Sequence, residues 1–173
     1  LPERVLRNAI RSGNKSILHV RMNECKSAII KKDGITKVFT DQLTGCNSVC
    51  IITRDSKGNP VVIMAHAMPT TKSIATQCAN IDTELDRYKE IIDTEAIPMV
   101  HFNVNERNID NPIFNSVRSV LNRHFGKNCK ETVVKYQPMK NPSTANIYEF
   151  YPNEPNQVRI TYVGQKSNTE SLT

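Results

Sequence analysis

A chain of 173 residues, 38% hydrophobic and 23% charged, is long enough to bury one core, and it contains no apolar run of membrane-spanning length. Its net charge of +6 and pI near 9.1 permit an acidic partner, but the Lys and Arg residues are scattered, aromatics make up only 6% and Trp is absent, which argues against a nucleic-acid reader. The five cysteines (Cys25, Cys46, Cys50, Cys78, Cys129) are an odd number with no CxxC pair, which argues against a disulfide framework or a structural zinc site and for free thiols in a reducing compartment.

The first fifteen residues are polar and basic, with a weak helical pattern in Val5, Leu6 and Ile10, and they lack the apolar core of a secretory signal. They read as an extension to a single domain over 16–163, with 164–173 as a mobile polar tail. "SILHV" reads as a strand, and "SAII" and "ITKVF" flank "KKDG", whose Asp33-Gly34 pair suits a hairpin turn. Two apolar runs, "SVCIIT" and "VVIMAHAM", follow, joined by the turn formers of "RDSKGNP". "NIDTELDRYKEIIDTE" predicts a helix with Leu85, Tyr88, Ile91 and Ile92 on one stripe and Asn80 or Asp82 as its cap. "IPMVHFNV" predicts a strand.

A second helix spans "DNPIFNSVRSVLNRHFG", capped by Asn111, with Pro112 in its first turn and Gly126 at its end. Its predicted buried face is Phe114, Val117, Val120, Leu121 and Phe125. "ETVVKY", "NIYEFY" and "QVRITYV" are three further strands, with the polar loop "QPMKNPST" between the first two. The sum is an α+β fold: mostly antiparallel or mixed sheets in a sandwich-like core, flanked by two amphipathic helices.

If the two apolar runs form an antiparallel hairpin about "DSKGN", one register opposes Cys46 to His66. Another opposes Ser48 to His66 and sets Cys46 on the adjacent diagonal; both place the thiol and the imidazole on one face, whereas the odd registers, which the sequence leaves open, do not. A histidinium beside a thiol stabilises the attacking thiolate, and Gly45 allows a tight turn whose N–H groups, through Asn47, face a developing oxyanion. The same two residues also suit an ordinary hairpin, with the thiol as a small hydrophobe and the imidazole as packing. Cys50 lies deep in an apolar run, Cys25 lacks a histidine partner, and His101 could reach the site from a neighbouring strand or sit satisfied in the core.

The stretch "TDQLTGCNSVCIITRD…VVIMAHAMP" resembles the core of the bacterial chemoreceptor glutamine deamidase family, CheD. There a Thr, a short turn with Gly and a nucleophilic Cys open a strand, and a Met-Ala-His segment brings the base. Thr40 lies six residues before Cys46, as in that family, and Met64-Ala65-His66 with Pro69 matches the second segment. The likeness extends to "HVRMNECK", "NERNIDNPIFNSVRSVL" and "ANIYEFYPNEPNQVRI", so it covers most of residues 17–163. Deamidating toxins, the cytotoxic necrotizing factors and a translation-blocking lethal factor, are similar as well. "LTGC" at Leu43 to Cys46 is nearer their Leu-Ser-Gly-Cys turn, and Val62 and Ile63 stand where the chemotaxis family has paired glycines.

The resemblance implies a protein-glutamine deamidase with Cys46 as nucleophile, His66 as base and Thr40 orienting His66, needing no cofactor and no metal. A monomer is expected, and the resemblance implies that its partner is a protein carrying a reactive glutamine, either a host protein met by a secreted effector in the host cytosol or a bacterial chemoreceptor. An inactive binding module of the same fold is the alternative. Asp41, Gln42, Asn47 and "TTKSIATQ" are expected at the surface around the pocket, where they would set specificity.

Overall fold

The structure, a computed structural model, describes residues 3–108, 111–126, 129–137, 144–162 and 168–172. In chain order its elements are α1 (Glu3–Arg11), β1 (Ile17–Val20), β2 (Cys25–Ile29), β3 (Lys37–Leu43), β4 (Asn47–Arg54), β5 (Pro60–Ala67) and α2 (Thr71–Tyr88). Then come β6 (Met99–Asn105), α3 (Ile113–Phe125), β7 (Lys130–Tyr136), β8 (Thr144–Phe150), β9 (Gln157–Tyr162) and β10 (Asn168–Ser171).

Two five-stranded sheets result, ordered β1-β3-β8-β9-β10 and β2-β5-β4-β6-β7. Each is antiparallel except for one parallel pair at an edge, β1 with β3 and β6 with β7. Parallel neighbours need a crossover. For β6 and β7 it is α3; for β1 and β3 it is an excursion through the other sheet by β2.

The fold is α+β with four layers. Val20, Val38, Tyr148, Phe150, Val158 and Ile160 of the first sheet meet Cys50, Ile52, Val62, Met64 and Met99 of the second. The opposite face of the second sheet (Val49, Ile51, Ile63, Ala65, Val100, Phe102) is covered by Ile74, Ile81 and Leu85 of α2 and by Ile113, Val117 and Leu121 of α3. On the outer face of the first sheet, Leu6 of α1 packs on Phe39 and Ile147. β4 and β5 are buried on both faces, which is why they read as near-continuous apolar runs. Burying each Val or Ile there contributes about 1.5–3 kcal/mol.

Several sequence expectations change. "KKDG" is not a hairpin: β2 pairs with β5 and β3 with β1 and β8, so a local turn signal yields to non-local pairing. The first predicted helix begins earlier, at Thr71, because the side chain of Thr70 accepts from Ser73 N–H and caps it; Ile91 and Ile92 fall beyond its end. In α3, Asn111 accepts from Ile113 N–H as expected and Gly126 adopts φ +60°, but Phe114 and Phe125 are only half-buried and Ile113 joins the buried face. The first residues form a third helix, and β10 pairs with β9 within the stretch read as a tail. Most of the "QPMKNPST" loop, and 163–167, lie outside the described residues.

Candidate active site

The ladder of β4 and β5 opposes Ser48 to His66 and Asn47 to Ala67. This is the register with Ser48 opposite His66, and Cys46 lies one residue before the first paired position of β4. The connecting turn is held by Asp55, whose Oδ1 accepts from Lys57 N–H at 3.0 Å and Asn59 N–H at 2.8 Å. His66 therefore points between the sheets, where β3 presents Thr40.

Thr40 decides which ring nitrogen of His66 carries the proton. Its hydroxyl donates to the Val20 carbonyl at 2.7 Å and lies 2.7 Å from His66 Nδ1. A hydroxyl has one proton to give, so it accepts from Nδ1–H and leaves the lone pair on Nε2. Nε2 is buried and has no hydrogen-bond partner. The main chain of His66 is pinned as well: its N–H donates to Glu24 O at 3.0 Å and its carbonyl accepts from Asn23 N–H at 2.8 Å. Asn23, at φ +64°, is held by Ser73 Oγ at 2.9 Å and Gln77 Nε2 at 3.2 Å, both donating to its Oδ1.

Between Thr40 and Leu43 the ladder with β8 shifts register, so Asp41 and Gln42 together oppose one residue of β8. The bulge turns both Thr40 and Leu43 inward, and Leu43 packs with Cys46, Tyr136 and Met68. Its left-handed residue is Gln42 at φ +56°; Gly45, expected to supply the tight turn, is not at positive φ. Cys46 is 7% exposed, and its carbonyl accepts from Tyr136 Oη at 2.6 Å.

Burial pushes the Cys46 thiol above its ordinary value. Burial likewise lowers His66 to about 4, partly offset by the nearby Asp41 carboxylate and reinforced by His19. In both groups burial favours the uncharged form, so the shifts point to a neutral thiol and a neutral imidazole at rest. Burial also raises Cys25, to about 12, and Cys50 and Cys78.

Other placements were not readable. Ser48 donates to Asn146 Oδ1 across the sheets, and Asn103, opposite Ser48, is buried with both amide atoms unpartnered. His101 lies one layer deeper, opposite Cys50, with Nδ1 3.3 Å from Tyr162 Oη. Asp41, placed at the surface by sequence, is buried and paired with Arg7 Nε at 2.6 Å and His19 Nε2 at 2.8 Å. Asn47 is buried too, accepting from Asn111 Nδ2 at 2.8 Å, while Gln42 stays exposed. "TTKSIATQ" became the cap and first turns of α2, with Ser73, Ile74 and Gln77 buried. Alternation gave one available signal: Tyr136 is the one buried position of an otherwise open β7.

All five cysteines are free thiols. Among the described residues no cluster of His, Cys, Asp and Glu is arranged to hold a metal ion, and no helix is long and apolar enough to cross a membrane.

No family model matches the chain, and no curated protein matches it in sequence. Among solved structures it is similar to the crystal structure of the C-terminal domain of CNFy from Yersinia pseudotuberculosis, at 10% identity and a TM-score of 0.40. The match covers 90% of this chain and 62% of that one, so this chain spans less than two thirds of its length.

Proposed function

We propose that the chain is a cysteine-dependent protein-glutamine deamidase. The observation that carries this reading is the relay from the Val20 carbonyl through Thr40 to His66 Nδ1–H, which leaves Nε2 unpartnered on the strand that pairs with the one Cys46 precedes. A general base requires this tautomer, with the lone pair on Nε2.

In the reaction, Cys46 Sγ bonds to the carboxamide carbon of a target glutamine as its proton passes to Nε2. The carbonyl electron pair moves onto oxygen. Nε2–H then protonates the nitrogen, ammonia leaves, and a thioester remains. Water adds to the thioester carbon, giving its proton to Nε2; the C–S bond breaks, glutamate is released and the thiol regains its proton. Thr40 holds the ring in orientation throughout, but its uncharged hydroxyl stabilises imidazolium less than a carboxylate would. The partner gains one negative charge, enough to switch an interface.

The Leu43-Thr44-Gly45-Cys46 turn, with its likeness to deamidating toxins, favours an effector acting on a host protein over a chemoreceptor deamidase. The test is to incubate the protein and its Cys46→Ser variant with host-cell lysate and with a bacterial chemoreceptor, reading Gln→Glu mass changes. Cys46-dependent changes in the lysate are expected. Changes confined to the chemoreceptor would assign the chemotaxis role, and none in either sample would overturn the reading.

A further inference from the structure

β6 carries two asparagines, Asn103 and Asn105, on the face it turns toward the first sheet. Asn103 opposes Ser48, the last pair of that ladder, and Asn105 and Cys46 each lie two residues beyond it. The contact that places Asn105 at this turn is with Gly45. A methyl group built on Gly45 would lie 4.0 Å from Asn105 Nδ2, so this amide stands against the turn that bears the candidate nucleophile.

The amide is also oriented. Its Oδ1 accepts from Arg107 N–H at 3.0 Å, and Asn108 N–H closes the following turn on the Asn105 carbonyl at 3.0 Å. With the oxygen committed to the main chain, the amide's donor end faces the turn. The strand end is fixed by Glu106 N–H on Tyr136 O at 2.9 Å, the same Tyr136 whose hydroxyl holds the Cys46 carbonyl. Asn105 and Cys46 thus share one anchor. Asn47, by contrast, ends the ladder opposite Ala67, which commits its main chain to strand pairing. Asn105 is half-buried, unlike fully buried Asn103, so a substrate side chain can reach it.

We propose that Asn105 is a catalytic residue that donates Nδ2–H to the oxyanion. As Sγ bonds to the acyl carbon and its proton moves to His66 Nε2, the carbonyl electron pair is received beside Asn105. The assignment rests on the deamidase reading, because only addition to an acyl carbon creates that charge.

Two small probes separate the roles without knowledge of the natural target. p-Nitrophenyl acetate acylates a cysteine through a tetrahedral oxyanion, whereas iodoacetamide alkylates it by direct displacement and forms none. Asn105→Ala removes the amide, and Asn105→Ser keeps a neutral side-chain acceptor for Arg107 N–H, guarding against a folding defect. In both variants acylation of Cys46 is expected to fall about 10²–10³-fold, with alkylation within about twofold of the parent. Equal falls in both rates would make Asn105 merely structural, and an unchanged acylation rate would also overturn the assignment. A parent Cys46 that is acylated no faster than the other four thiols would bring down the deamidase reading, and this assignment with it.

Discussion

The two ends of the space between the sheets are built by the same three strands and filled with opposite chemistry. On the shared inner face, Ile52 of β4 lies between Val62 of β5 and Met99 of β6. One layer on, Cys50 lies between Met64 and His101; in the next, Ser48 lies between His66 and Asn103. All of these side chains are buried. The apolar layer is what a sandwich core requires. The polar layer leaves His66 Nε2 and both amide atoms of Asn103 without partners, each a desolvation cost of about 1–3 kcal/mol. A layer that lowers stability where the apolar layer raises it is consistent with the proposed role of His66 as a base.

The sharpest way to break this contrast is at His66. His66→Gln should lower deamidation by about 10²–10⁴-fold while leaving the urea midpoint at neutral pH unchanged or higher. Its pH dependence carries a sign. The folded imidazole titrates near 4 against an ordinary 6.5, so the unfolded chain binds a proton the folded chain refuses. Stability contributed by the neutral ring is present above 6.5 and is lost as pH falls toward 4. Urea midpoints across that window should fall in the parent and fall less in His66→Gln. The acid limb of the parent's activity should likewise sit near 4, not 6.5.

At the apolar end the outcome should invert. Ile52→Ala removes buried methyl groups and should cost about 2–5 kcal/mol in urea unfolding, while the acylation rate of Cys46 in the folded fraction stays that of the parent. Equal losses of stability and reactivity in both variants would dissolve the distinction between the layers.

Thr40 gives the smallest effect and the finest test. Thr40→Val keeps the shape but orphans Nδ1–H and frees the ring to take the other tautomer. Activity should fall about tenfold to a hundredfold, the worth of one buried hydrogen bond. Thr40→Ser, which restores the hydroxyl, should recover most of it.

Local signals made parts of this molecule readable. The continuous apolar runs of β4 and β5 and the "DSKGNP" turn between them locate the pair. The choice between two same-face registers needed the Asp55 turn to settle. The Asn111 cap and Gly126 mark α3 at both ends. The first turns of α2 escaped because Ser73 and Gln77, polar in sequence, are buried to hold Asn23. The bulge at Gln42 escaped because no glycine announces it. Two of the possible registers set Cys46 and His66 on one face and the others do not, so the sequence leaves that pair open; Thr40 entered through family resemblance, and its contact with Val20 spans a crossover that no local pattern encodes. Alternation marks Tyr136 as an inward position of β7, but no local pattern shows that Tyr136 and Asn105 meet the Cys46 turn from distant sequence.

The relay behind His66 ends on a main-chain atom. The Val20 carbonyl orients the Thr40 hydroxyl, and the hydroxyl fixes the ring proton. No point mutation can delete a carbonyl. If the relay serves the proposed base, a change at position 20 that fills the same space would preserve it, while the loss of a hydroxyl at position 40 would break it. Of the two links that govern the tautomer, one is exposed to inheritance and the other is insulated from it.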